Sequence, residues 1–443
     1  MRDRELPFGS AIRGVDLNQT MNSSAATQSP DIHSSSQPSV VSSKERLHGK
    51  RVAMLLYSHY PEDPRPRRAV GALISEGMQV DLVCLGNGSA PRHEILDGID
   101  VLRIPLKHRR GGKLAYAYQY GVFILISSVI FALRSLTRGY DLVYVHNMPD
   151  ILVLSALIPK LLGAKVILDL HDPMPELMMT IFRVPPDSRG VRLLKRVEKW
   201  SIARADLVIT TNIAFKKVFA ARSCPPEKIE VVMNSPDGKI FPFRPVGSEV
   251  SAETSGNKPL VIMYHGSLLE RNGLDVAIDA FARLRESIPA AELRIFGAST
   301  PFLERMMEVV RNNNLQESVH YLGSKLLEDL VPEIERCDLG VIPNPRNAFT
   351  EINMPTRIFE YLALGKPVIA PYTPGILDYF NKESLLFFES GNSDDLARQI
   401  EYVFSHPSQV HEIVRGGQRV LLEHTWDRER ETLVGSVSEI LPR

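Results

Sequence analysis

From residue 52 onward the chain repeats one pattern: a short apolar run, a turn, then a stretch whose apolar residues recur at helical spacing. Runs at 52–57, 80–85, 101–104, 142–146, 166–170, 207–211 and 229–232 read as strands buried on both faces. Helices are expected at 67–76, 116–138, 149–162, 191–204 and 213–221, the first ended by Gly77. Such alternation requires right-handed crossovers and a parallel sheet covered on both faces. The pattern stops at Phe241-Pro242-Phe243-Arg244-Pro245 and the polar residues up to Lys258, so 241–258 reads as a linker. It restarts at 260–265, with Leu274, Ala277, Ile278, Phe281 and Leu284 on one helix face. Further strands are expected at 293–296, 319–322, 339–343 and 367–370. The fold class is therefore α/β: two Rossmann-like, doubly wound domains, over 49–240 and 259–425, facing each other across a cleft. Ligands of such sheets bind beyond the carboxyl ends of the strands. Architecture alone names no reaction.

The 443 residues exceed what one core supports, in keeping with two domains. Lys+Arg and Asp+Glu stand at 52 each, so no global basic field recruits nucleic acid. Cys84, Cys224 and Cys337 are far apart and odd in number, which suits neither a disulfide framework nor a zinc site. A reducing, cytoplasmic setting is the expectation. Residues 1–48 are rich in Ser, Gln, Asn and Pro without helical or strand period, and disorder is expected there. Arg2, Asp3, Arg4 and Glu5 are followed by no apolar segment, so no secretory signal is expected.

Several familiar chemistries are missing. There is no P-loop, no H-E-x-x-H, no G-x-S-x-G and no D-x-D pair for a divalent metal. Gly86-Asn87-Gly88 follows a strand but reads as a turn. The richest segment is 353–369, from Asn353 through Pro355, Arg357, Glu360 and Gly365 to Ile369. Pro355 suits a first helical turn, Ile358, Tyr361 and Leu362 form an apolar face, and Gly365 ends the helix. Arg357 and Glu360, three apart, project from one side; by spacing alone they make a surface ion pair.

The run Thr-Arg-Ile-Phe-Glu-Tyr-Leu-Ala-Leu-Gly-Lys-Pro-Val-Ile resembles the carboxyl-terminal signature of the group 1 glycosyltransferases, family 4 of the retaining GT-B enzymes. The resemblance gives Glu360 the role of the final glutamate of an E-x7-E motif, gripping the donor nucleotide's ribose, with Arg357 beside it. The motif's first glutamate would fall on Ile352, which leaves Glu351 and Asn353 as candidates for orienting the sugar.

A second segment, 264–275, is similar to the family's diphosphate-holding loop. Gly266 would allow close backbone approach. The family's Arg and Lys are Ser267 and Asn272 here, so Arg271 becomes the candidate phosphate-binding cation, the alternative being an exposed loop arginine. In a third segment, 169–176, the resemblance places His171 against the donor sugar, with Asp172 and Glu176 binding acceptor or ordering the loop. His146-Asn147 also ends a strand at the cleft, though a helix-entry turn explains it as well. The resemblance runs from about residue 50 to the end and implies that a terminal helix, 426–443, returns to the first domain. The family's glycine-rich acceptor loop is replaced by the basic 58–68, which suits an acceptor carrying phosphate.

Lys107-His108-Arg109-Arg110-Gly111-Gly112-Lys113 precedes an apolar stretch, 116–136, about long enough to span a membrane. Because it continues the strand–helix alternation, an interfacial or buried helix with a basic flank is expected, docking on an anionic membrane surface. The resulting expectation is a cytoplasmic, retaining glycosyltransferase, peripheral on the membrane. It would use a UDP- or GDP-sugar donor, no cofactor and no metal, and a lipid-linked acceptor for polysaccharide or glycolipid assembly. A GT-B epimerase or phosphorylase, or a nucleotide-sugar-binding scaffold without turnover, are the rival readings.

Overall fold

The computed structural model describes residues 43–86, 88, 90–106, 113–247 and 259–442. The tail reading for 1–42, the basic run 107–112 and the second half of the linker lie outside them. The amino-terminal lobe runs α1 (Ser43–Leu47), β1 (Arg51–Leu55), α2 (Pro64–Ser75), β2 (Gln79–Leu85), β3 (His93–Leu96), β4 (Ile99–Ile104), α3 (Lys113–Thr137) and β5 (Leu142–His146). After a 3-10 helix (Asp150–Ala156) come α4 (Leu157–Leu161), β6 (Lys165–Leu170), α5 (Met174–Phe182), α6 (Arg189–Arg204), β7 (Leu207–Thr210), α7 (Ile213–Arg222) and β8 (Ile229–Val231). The second lobe holds β9 (Val261–His265), α8 (Leu274–Ser287), β10 (Glu292–Phe296), α9 (Pro301–Asn312), β11 (Val319–Tyr321), α10 (Leu327–Arg336), β12 (Leu339–Val341) and α11 (Arg357–Ala363). It continues with β13 (Val368–Pro371), α12 (Pro374–Leu377), β14 (Leu386–Phe388), α13 (Ser393–Ser405) and α14 (Pro407–Glu423), and α15 (Trp426–Ile440) closes the chain.

The strand orders are β3-β4-β2-β1-β5-β6-β7-β8 and β11-β10-β9-β12-β13-β14. All pairings are parallel except β3 with β4. Strand order reverses between β1 and β5 in one sheet and between β9 and β12 in the other. Those are the switch points at which a doubly wound sheet opens a crevice. Alternate residues of β1 feed opposite layers, Val52 and Met54 into one core and Ala53 and Leu55 into the other.

The lobes form one body. Leu433, Val434 and Val437 of α15 enter the amino-terminal core, and Glu429 accepts a hydrogen bond from Met233 N at 2.8 Å. Across the cleft, Thr180 donates to Asn347 Oδ1 at 2.9 Å, and the Tyr379 hydroxyl accepts from Ile213 N at 2.8 Å.

Several expectations change. The helix α1 lies inside the segment expected to be tail, held there by Leu47, which is fully buried against the α15 side of the core. The helix expected at 67 starts at Pro64, capped by Asp63, whose side chain accepts from Arg65 N. The stretch at 149–162 is a 3-10 helix followed by a short α-helix. Pro355 lies before the N-cap Thr356 and not within the first turn of α11.

Candidate functional site

On the amino-terminal side, the site grows from the end of β6. Asp169 is buried and both its oxygens accept from Arg65 Nε at 3.0 Å, with Arg65 Nη2 at 2.6 Å and the Tyr144 hydroxyl at 3.0 Å. Burial alone would push this carboxyl up, but the Arg65 guanidinium and the nearby histidines hold it well below the usual carboxylate range. Arg65 also donates to Val232 O at 2.9 Å and Asn234 Oδ1 at 3.0 Å, so one side chain ties α2, β6 and the 232–234 segment together. Arg68, one helical turn on, donates to Ser235 O at 2.7 Å and lies 5.4 Å from the Trp426 ring centre. Burial, with Arg65 close by, brings its pKa down to about 10.

His171 follows the strand. Its backbone N–H donates to Asn147 Oδ1 at 2.8 Å, and its Nε2 lies 3.0 Å from His146 Nδ1. Asn147 in turn donates to Asp150 Oδ1 at 2.8 Å and to Asp172 O at 3.1 Å, fixing the β5 and β6 loops to one another. Burial pushes the His171 pKa down to about 3, outweighing the pull of Asp169, and Arg65 adds to the effect. The ring is neutral at ordinary pH. The neighbouring Asp172 moves the other way: burial raises it to about 6, against the attraction of Arg271.

On the opposite side, Glu360 is buried on α11 and pairs with His265, at the end of β9, through a 2.6 Å contact from Oε2 to Nε2. The other ring nitrogen of His265 lies 2.9 Å from the Tyr361 hydroxyl. Arg357 does not pair with Glu360 as their spacing suggested. It donates to His265 O and lies over the Tyr264 ring, 5.3 Å from its centre. Gly266 has φ +126°, and a Cβ there would come within 3.2 Å of the Arg357 side chain, so the glycine keeps that arginine against the strand end. Among the described residues no hydrogen bond occupies Glu360 Oε1.

These two half-sites share a cavity of about 340 Å³, lined by Arg68, His171, Asp172, Asn234 and Glu360. A smaller one of about 140 Å³ joins His171 and Asp172 to Asn353 and Thr356. Glu351 is placed elsewhere, paired with Arg346. Arg271 lines a separate cavity of about 650 Å³ with Arg346 and Asn347, and reaches the first through its charge on Asp172. Asn272 donates to Ser267 O at 2.7 Å, closing its own loop. Glu176 is paired with Arg222 at 2.6 Å, a contact that orders α5 against α7.

Comparison with known proteins gives this geometry its family. Residues 249–420 match the family Glycosyl transferases group 1, and residues 63–235 match Glycosyl transferase 4-like domain. The protein belongs to the group 1 glycosyltransferases. WcaL of Escherichia coli (strain K12), named for colanic acid biosynthesis, is 28% identical over 174 residues, 39% of this chain and 41% of that protein. The amylovoran biosynthesis glycosyltransferase AmsK of Erwinia amylovora is 24% identical over 176 residues, 39% of this chain and 41% of AmsK. The chain thus spans about two fifths of the length of these two relatives. Among solved structures, HepE of Anabaena in complex with UDP and glucose superposes with a TM-score of 0.64 at 16% identity, covering 88% of this chain and 100% of HepE. Sucrose-phosphate synthase of Thermosynechococcus elongatus gives 0.69 at 17%, covering 88% and 99%. This chain shares the GT-B fold of these solved structures.

For a group 1 glycosyltransferase, the clamp beneath the site is the part that motif reading overlooked. The basic stretch 58–68, expected as an acceptor-facing loop, divides in the structure: Arg65 is buried and Arg67 exposed. A visible signal was the helix start: Asp63-Pro64 caps α2, and the following turn points Arg65 and Arg68 at the strand ends. His146, Asp169 and His171 bring three possible metal-ligand atoms within 4.8 Å of one another. A cation there would compete with Arg65 for Asp169 and sit against its guanidinium, so these residues do not fit a metal.

Proposed function

We propose that the protein transfers a sugar from a nucleoside diphosphate sugar, UDP- or GDP-linked, to an acceptor hydroxyl with retention of anomeric configuration and without a metal ion. Glu360 carries the reading. A carboxylate anchored through one oxygen, with the other turned to a cavity, suits two vicinal ribose hydroxyls. The complex of HepE with UDP supports a nucleotide ligand for this fold. Neutral His171 suits a hydrogen bond to the donor sugar, and Asn353, in the same small cavity, suits the sugar's other side. Arg68 and Arg271 supply positive charge for the departing diphosphate in place of a metal. Same-face attack assisted by the leaving phosphate is the proposed route to retention, with Asp172, the one carboxyl shared by both small cavities, placed to accept a hydrogen bond from the acceptor hydroxyl.

The names of WcaL and AmsK support a role in polysaccharide assembly, and we place the acceptor on a lipid at the cytoplasmic membrane face. A scaffold that binds the donor without turnover is favoured by one observation, the Asn272 amide spent on its own loop. Thermal unfolding with a panel of UDP-, GDP-, ADP- and TDP-sugars tests donor binding. A true donor at ~100 times its dissociation constant stabilises by ~2.7 kcal/mol. NMR of the product anomer and single turnover in EDTA follow. No stabilisation by any member overturns the donor assignment, an inverted product overturns retention, and magnesium-reversible loss in EDTA overturns metal independence. Binding without hydrolysis or transfer establishes the scaffold.

A further inference from the structure

The helix α3 carries its polarity the wrong way round for the water-facing side of a protein. Its inward residues, spaced four apart, are Gln119, Phe123, Ser127, Phe131 and Ser135, all buried. Its outward face presents Tyr118, Leu125, Val129, Leu133 and Leu136, between 51% and 72% exposed. A surface helix of a soluble protein normally turns its apolar stripe inward and its polar residues to water. Of the inner polar groups, Ser127 is satisfied within the protein: its Oγ lies 2.8 Å from Ser155 Oγ and donates to Phe123 O at 2.8 Å. The segment Tyr118–Thr137 is long and apolar enough to cross a bilayer, with 17% of its window buried. It is nonetheless attached, since Phe123 and Phe131 belong to the core beneath the sheet.

The same face continues onto the neighbouring helices. The short α4 packs on α3 and exposes Ile158, Leu161 and Leu162. Lys160 of α4 donates to Arg204 O at 2.8 Å, which fixes α4 to the end of α6. Exposed on α6 are Leu193, Arg192, Arg196 and Lys199, and among the described residues none of these three cations has an ion-pair partner. The one acid of α6, Glu198, is buried and held by Arg222 at 2.6 Å. By contrast Arg134 and Arg138 of the α3 end are neutralised by Asp81 and Asp100. An unpartnered apolar surface therefore stands beside uncompensated positive charge. A second copy of the chain would bring the same cations to a shared interface, where they repel.

We propose that α3, α4 and α6 form the docking surface for an anionic lipid bilayer, with α3 lying in the headgroup–acyl boundary and α6 on the headgroups. The inference rests on the membrane placement proposed above and supplies the surface for it. It adds α6 as an electrostatic partner to the expected docking run at 107–113, which lies mostly outside the described residues.

Flotation of the full chain with vesicles of phosphatidylcholine, alone or with phosphatidylglycerol, is the test. Wild type should favour the anionic vesicles by at least ~10-fold, an advantage lost as salt rises. Two variants separate the components: Arg192→Glu/Arg196→Glu/Lys199→Glu and Leu125→Ser/Val129→Ser/Leu133→Ser. Both change exposed positions, should unfold as wild type does, and should each lose vesicle binding. Equal binding to both vesicles, no loss in either variant, salt- and carbonate-resistant association, or a wild-type dimer that Leu125→Ser/Val129→Ser/Leu133→Ser dissolves without any vesicle binding would each overturn the proposal. Donor binding is measured on the same samples, and Glu360→Ala is floated alongside. Docking that fails while donor binds removes only this surface; the reverse removes only the donor site.

Discussion

Both lobes end a central strand in a buried carboxylate–histidine pair, yet the two pairs are built for different purposes. In the amino-terminal lobe Asp169 meets Arg65, Tyr144 and His146, and no lone pair is left for a ligand. In the second lobe Glu360 meets His265 through one oxygen and faces the cavity with the other. The first pair consolidates the lobe and sets the charge around His171. The second is the pair proposed above to bind donor. A carboxylate's usefulness to a ligand depends on how many of its acceptor positions the protein has already used.

The sharpest way to break this contrast is to remove Arg65. Arg65→Met leaves Asp169 charged and alone in the core, which should cost ~3–5 kcal/mol in urea unfolding. The double variant Arg65→Met/Asp169→Leu should recover most of that, because two apolar groups replace a costly buried pair. A single variant as stable as wild type would mean that the clamp holds nothing together.

At Glu360 the loss should appear in binding. Glu360→Gln keeps an oxygen for His265 while removing the charge offered to the ligand. Calorimetry should show donor affinity weakened by ~1.5–3 kcal/mol with the unfolding midpoint near wild type. Glu360→Ala should lose both, since His265 is left buried without its partner. If Glu360→Gln binds donor normally, the two pairs are alike and the second is structural too.

The contrast was only half visible in the sequence. Strands buried on both faces leave apolar runs, so β1, β5, β6, β7 and β9 stand close to where those runs predict. The signature around Glu360 was equally plain. What escaped was tertiary. Arg65 and Asp169 lie 104 residues apart, and a run of arginines does not say which one turns inward. His265 passed as the end of an apolar run, with no local sign that it would carry Glu360. The helix α5 is absent from the expected elements, its start falling in the segment that resembles a family loop; Pro175 occupies its first turn, where no backbone donor is needed. The edge strand β3 alternates only between exposed and half-buried residues and gave no apolar run.

The smallest expected effect concerns pH, and it distinguishes the two ionisable neighbours at the end of β6. His171 stays neutral at every pH above about 3, so it contributes no step between pH 5 and 8. Asp172, raised to about 6, is a carboxylic acid at pH 5 and a carboxylate at pH 8. If the carboxylate is the form that accepts a hydrogen bond from the acceptor hydroxyl, kcat/KM should rise with pH through about 6. The donor diphosphate, already fully ionised there, adds no step of its own. Asp172→Asn should flatten that limb and lower kcat/KM at pH 8 by ~10-fold, the worth of one hydrogen bond to a charged group at the low end of its range. His171→Asn should lower activity at all pH values and leave the limb in place. A limb that survives in Asp172→Asn and vanishes in His171→Asn would reverse the assignment. The amino-terminal half-site would then carry a titrating histidine, and its clamp would be tuning a proton donor instead of holding a neutral one.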